Sequence, residues 1–215
     1  MTLALITILT LAVAYRFALG RRFAQCAPTS DDLTRMMLGD SIISTPTHSA
    51  MDAITIEASP GDIWPWLVQL GYQHGGLYSY DWLDRLFGFL DRPSATRVLP
   101  EFQHLAVGDT VSLGPRGELT VAALEPLRAL VFSYNAHGFE WVWQFGLYPL
   151  DKDRTRLVTR GQERFEKNLG TWLFMQVMKP AACIMTRRML LGLKARAETL
   201  RRERERHGGS GRAVA

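Results

Sequence analysis

Phe139-Glu140-Trp141-Val142-Trp143-Gln144-Phe145-Gly146-Leu147-Tyr148-Pro149-Leu150 runs straight into Asp151-Lys152-Asp153-Arg154 and then Thr155-Arg156-Leu157-Val158-Thr159-Arg160. A long β-rich run, a polar turn and a second run read as a hairpin. Trp141 and Trp143 lie two apart, so on a strand they share one face. Working backward, residues 130–134 and 119–123 read as short strands. Val107-Gly108-Asp109 turns the chain into a strand over 110–113, and Gly114-Pro115-Arg116-Gly117 turns it out again. Strands in sequence, joined by such turns, predict an antiparallel sheet.

Working forward, a helix is predicted over roughly 170–206. Met175, Met178, Ala182, Met185, Met189 and Leu193 recur three or four apart and form one apolar stripe, with Arg187, Arg188, Lys194 and Arg201 off it. Pro180 predicts a bend or a division there. Upstream, Ala53-Ile54-Thr55-Ile56-Glu57 alternates like a half-buried strand. Ser59-Pro60-Gly61-Asp62 is a capping-box-like helix start, and Ile63, Trp66, Leu67 and Leu70 fall on one face of the helix that follows. Pro65 predicts a kink, and Gly71 stops the helix. Asp81 to Gly88 reads as a second short helix. The class is α+β: a curved antiparallel sheet with one apolar face, wrapped around a long C-terminal helix. A wedge between the two is where an apolar pocket forms.

The 215 residues are 47% hydrophobic and 21% charged, which excludes wholesale disorder and allows a sizeable core. The charge is uneven. Residues 181–215 hold nine basic and three acidic residues, whereas residues 51–180 hold twelve basic and fifteen acidic. A mildly acidic centre excludes a nucleic-acid-binding core, because phosphate neutralisation dominates such binding. Two cysteines, Cys26 and Cys183, make neither a disulfide framework nor a zinc-type cluster. With no phosphate loop and no nucleophile elbow, no metal or cofactor is expected.

Met1 to Tyr15 carries no charge; Arg16 interrupts the apolar run, and Arg21-Arg22 closes it. Residues 1–22 therefore read as an N-terminal hydrophobic helix and membrane anchor, with the domain on the cytoplasmic side by the positive-inside rule. A cleaved signal near Ala14, a misassigned start and a helix folded back on the domain are the rival readings. Residues 23–50, rich in Pro, Ser, Thr and Asp from Cys26 to Ala50, read as a linker. Residues 51–206 form the domain and 207–215 a disordered tail.

The aromatic residues Trp64, Trp66, Tyr78, Tyr80 and Trp82, with Trp141 and Trp143, are candidate ligand-binding residues, since indole and phenol rings give an apolar pocket a few polar handles. Met175, Met178, Met185 and Met189 would form its adaptable wall. Ordinary core packing is the alternative for each. His74 could act as a general base oriented by Asp81, with Tyr80 as a further acid/base candidate. The alternative is a glycine-bearing turn into a helix capped by Asp81. Arg97, Glu101, Arg160 and Glu163 are polar candidates for a pocket mouth, or plain surface charge.

Ile63-Trp64-Pro65-Trp66-Leu67-Val68-Gln69-Leu70-Gly71 and Gly75-Gly76-Leu77-Tyr78-Ser79-Tyr80-Asp81-Trp82-Leu83 resemble a bacterial branch of the SRPBCC superfamily. That is the helix-grip group of START lipid-transfer, birch-pollen-allergen-like and polyketide cyclase/dehydrase-like proteins. Leu99-Pro100-Glu101-Phe102-Gln103, Val107-Gly108-Asp109 and Met189-Leu190-Leu191-Gly192 share the resemblance. It implies a hydrophobic cavity between sheet and long helix. It implies no particular reaction, because such folds host carriers, sensors and enzymes. The expected function is non-catalytic binding of a hydrophobic small molecule such as a lipid, isoprenoid or polyketide. The alternative is a cyclase or hydrolase acting on a hydrophobic substrate in the same cavity. The sequence gives no basis for an oligomeric state.

Overall fold

The computed structural model describes residues 24–115, 117–136, 138–166 and 169–210. Among these residues, four α-helices and six strands follow in order: α1 (Ser30–Thr34), β1 (His48–Ile56), α2 (Pro60–Val68), α3 (Asp81–Leu86), β2 (Thr110–Gly114), β3 (Gly117–Glu125), β4 (Ala129–Ala136), β5 (Phe139–Pro149), β6 (Thr155–Phe165) and α4 (Leu169–Ser210). A 3₁₀ turn at Pro100–Phe102 precedes β2. The strands form one antiparallel sheet in the order β1-β6-β5-β4-β3-β2. With α4 laid across one face, this is the predicted helix-grip architecture.

Local chemistry sets the helix starts. Asp62 accepts hydrogen bonds from the Ser59 N–H (3.3 Å) and hydroxyl (2.6 Å), closing the capping box of α2. Neither proline ends its helix. α2 runs through Pro65 and α4 through Pro180, because one missing bond is outweighed by the neighbouring turns and their packing. The main core joins Ile54, Leu157, Leu147, Phe145 and Phe132 of the sheet to Ile63 and Leu67 of α2 and to Met189, Leu190 and Leu193 of α4.

The stretch expected as a linker over 23–50 is structured from residue 24 onward. β1 begins at His48. The chain before it passes the β1 edge at Cys26, whose thiol meets Arg187 O of α4 (3.6 Å), and then straps the outer face of the sheet from Asp32 to Ile43. Asp32 of α1 accepts from Arg156 (2.6 Å) and Asp40 from Arg160 (2.5 Å). Gln144 donates to Asp40 (2.8 Å) while accepting from the Gly39 N–H (3.0 Å). Met37 packs on Ala53 and Val158, and Ile43 on Val131 and Val142. Arg35 lies over the Tyr148 ring. An apolar face that would otherwise meet water is thereby covered.

The outermost strands also have partners beyond the sheet. The Ala53 N–H of β1 donates to Cys26 O (3.0 Å), and Lys194 of α4 donates to Thr55 O (2.8 Å). On β2, Ser112 O accepts from the Tyr72 N–H (2.7 Å).

The anchor assigned to residues 1–22 lies outside the described residues. Among the described residues, no helix is long and apolar enough to cross a membrane. The tail expected over 207–215 is helical as far as Ser210, and residues 211–215 lie outside the described residues.

Candidate functional site

The register of β1, β6 and β5 arranges the face toward α4 in rows. Ile54, Leu157 and Leu147 form one row; Asp52, Thr159 and Phe145 the next; then Ala50, Gly161 and Trp143; then His48, Glu163 and Trp141. Alternation along each strand puts all twelve on the same face. The first row is sealed against Leu190 and Leu193 of α4. In the second, Asp52 is held by Arg187 of α4, whose Nε donates at 2.8 Å. Beyond that the face opens. Ala50 is exposed, Gly161 has no side chain, and Trp141 and Trp143 are only half-buried although they face the helix side. Ala182, between Met175 and Met185 on the apolar stripe of α4, is exposed too.

Trp141 and Trp143 stack, with ring centroids 5.5 Å apart and planes 17° from parallel. Trp143 also meets Phe145 (4.8 Å) and Phe132 (6.2 Å), so one aromatic sheet lines β4 and β5. Met175, Met185 and Met189 are buried and Met178 half-buried.

The other aromatic candidates divide. Trp66 is buried, edge-on to Tyr78 (6.0 Å), and Trp64 is half-buried against the main core. Tyr78 is a structural latch. Its hydroxyl donates to Trp66 O (3.2 Å) and accepts from Gln69 Nε2 (3.0 Å), and Arg196 of α4 lies over its ring. Burial pushes its phenol well above the ordinary value, against the Gln69 bond and the Arg196 charge. Tyr80 precedes α3 as its N-cap, with Arg188 over its ring. Trp82 of α3 is 65% exposed, as is Leu86 at 72%, and its aromatic neighbour is Tyr80 (6.5 Å).

His74 and Asp81 do not form the acid/base pair considered from sequence. His74 stacks on Phe102 (4.2 Å), and burial holds its imidazole below the ordinary value. Asp81 lies in the first turn of α3 rather than at its cap. Its carboxylate accepts from the Ser94 hydroxyl (2.8 Å) and N–H (3.2 Å), tying loop to helix. Arg160 points to the outer face, whereas Glu163 faces α4; Arg97 and Glu101 are exposed. Cys26 is buried and Cys183 half-buried, and burial, aided by Asp52, pushes the Cys26 thiol up to about 11.

Three polar residues were not singled out from sequence. Gln69 and Thr159 are buried, and so is Asp84 of α3. Asp84 accepts from the Ser79 hydroxyl (2.6 Å), and its second carboxylate oxygen has no partner among the described residues. Burial, with the Asp81 charge added, raises its carboxyl from 3.8 to about 6. A raised carboxyl favours the fold while protonated. Its contribution is complete below about pH 4 and lost as pH rises through about 6. A shift of that size corresponds to at most about 3 kcal/mol, and solvent screening near the short surface helix brings the expectation to about 1–2 kcal/mol. Asp84→Asn, which stays neutral, should therefore gain about that much at pH 7.5 and almost nothing at pH 4.5. Urea denaturation at both pH values tests this, and an equal gain at the two would refute a titration origin.

No family model matches the chain, and no curated protein matches it. Solved structures do. The hypothetical protein jhp0584 from Helicobacter pylori is 14% identical, with 80% of this chain and 99% of that one covered, at a TM-score of 0.50. MLL2253 from Mesorhizobium loti is 20% identical over 73% of this chain and 98% of that one, at 0.40. A norcoclaurine synthase point mutant from Thalictrum, in complex with a transition-state analogue, is 14% identical over 71% and 98%, at 0.38. The first likeness is one of fold.

Proposed function

We propose that this chain binds a hydrophobic small molecule between the open end of the sheet and α4. The carrying observation is the stacked pair Trp141/Trp143, half-buried on the face turned toward the helix. Large aromatic faces in a core close against neighbours; here they stand beside exposed Ala50 and side-chain-free Gly161. A flat apolar ligand laid on the indoles would gain roughly 25 cal/mol per Å² of surface removed from water. The methionines of α4 would adapt to its shape. Asp81 is tied to Ser94 and His74 stacks on Phe102, so the pair that turnover would use is not brought together, which supports binding over turnover.

On this reading the apolar segment 1–22 would hold the domain on the cytoplasmic side of a bilayer, a source of such ligands. What supports that part is the sequence alone: an uncharged run followed by arginines.

The test is native mass spectrometry of the full chain from its own host, followed by titration with 1-methylnaphthalene, read by tryptophan fluorescence. A stoichiometric apolar adduct, or saturable quenching that Trp143→Ala weakens about ten-fold, is expected. Methylnaphthalene affinity unchanged in Trp143→Ala would overturn the placement of the site.

A further inference from the structure

Resting on that binding site, we infer that its ligand carries a protonated amine, seated on Glu163 at the open end of the sheet. Glu163 occupies the last row of the face toward α4, directly between His48 of β1 and Trp141 of β5. Side chains so paired stand about 5 Å apart. The Oε2 atom of Glu163 is buried and has no hydrogen-bond partner among the described residues. Two residues earlier on the same face, Gly161 leaves a bare patch, with Ala50 beside it on β1. The Trp141 indole nitrogen borders that patch, 3.6 Å from where a Cβ on Gly161 would stand. Two residues further, the buried Thr159 hydroxyl also lacks a partner among the described residues. A notch floored by two small residues is therefore flanked by a carboxylate oxygen and a hydroxyl that no described residue uses, with two stacked indoles along one side.

That combination fits one chemistry. A buried carboxylate oxygen without a donor is costly to leave so, and a cationic N–H group satisfies it with a charge-assisted bond. The indole faces attract the same cation through their quadrupoles and take the apolar body attached to it. The surrounding charges leave room for it. Asp52 is neutralised by Arg187. Burial holds His48 low, so its imidazole adds no charge at neutral pH. Lys179 of α4 is the cation acting on both His48 and Glu163; it is exposed, and no ion pair joins it to Glu163 among the described residues. Burial raises the Glu163 carboxyl, against the Lys179 charge.

The experiment compares 1-naphthylmethylamine with 1-methylnaphthalene, which share a ring system and differ by the amine. Both are titrated into the full chain and into Glu163→Gln, by tryptophan fluorescence and calorimetry. The wild type should bind the amine at least about ten-fold tighter than the hydrocarbon. Glu163→Gln should reduce that preference to within about two-fold. Should that variant fail to fold, the wild type decides by pH. The amine preference should fade as pH drops and Glu163 takes up a proton, and protonation of His48 acts in the same direction. Equal affinity for the two probes in the wild type overturns the amine assignment while the binding site stands. So does a preference that survives in Glu163→Gln, or one that is flat in pH. Failure of both probes to bind overturns the site itself.

Discussion

Gly192→Ala is expected to destabilise the protein by about 2–4 kcal/mol, although helix propensity alone favours alanine by about 1 kcal/mol. The reason is a contact between α4 and the loop after α2. A Cβ on Gly192 would stand 2.2 Å from the Tyr78 carbonyl oxygen, 2.9 Å from its Cβ and 3.1 Å from its carbonyl carbon. Two of those atoms are backbone, so no side chain can swing aside. Nor can the loop retreat freely. Tyr78 has φ of +56°, a strained conformation for a residue with a side chain, and its ring is locked by Gln69, Trp66 O and Arg196. Either α4 lifts off its bed or the latch opens, and both uncover core. Thermal and urea denaturation should show a melting point lower by roughly 5–10 °C. A neutral or stabilising alanine would refute the close approach.

The second large effect is expected at Gln69, which is fully buried. Its amide nitrogen donates to Tyr78 Oη (3.0 Å) and Arg97 O (3.3 Å), and its amide oxygen accepts from the Leu99 N–H (2.8 Å) and Gln103 Nε2 (3.2 Å). One side chain therefore satisfies polar groups from two loops that share no strand. Gln69→Leu keeps a similar volume and removes all four bonds. Leaving several of the partners unsatisfied should cost about 3 kcal/mol. Limited proteolysis should find new cleavage within residues 97–103, because those bonds hold the segment against α2. A loss below about 0.5 kcal/mol with no new cleavage would mean that the loops are fixed by other contacts.

The parts of this architecture governed by short-range rules were legible in the chain. The strand alternation, the Ser59/Asp62 box and the shared face of Trp141 and Trp143 each follow from neighbouring residues. The outer strap was not. Asp32 and Asp40 look like solvated loop residues, and their arginines lie 124 and 120 residues away. Trp82 belongs to a compositional cluster, but six residues of helix do not declare which side faces out. In the sequence, Arg160 and Glu163 read as one mouth group because the β-rich run reads as ending at Arg160. Extended to Phe165, β6 sends residues three apart to opposite faces. Gln69, Asp84 and Thr159 carried no local signal, since their roles depend on loops and strands meeting in space.

The backbone bonds on the two outermost strands bear on how copies of this protein meet. A strand with free N–H and C=O groups invites another chain to pair with it, the route to edge-to-edge aggregation and to capture of extended peptides. Here Cys26 and Lys194 occupy such groups on β1, and Tyr72 occupies one on β2. The strap and the basic helix thus act as selvedges. With the Tyr72 loop on the opposite edge, each fills a backbone site that the strand of another chain would otherwise take.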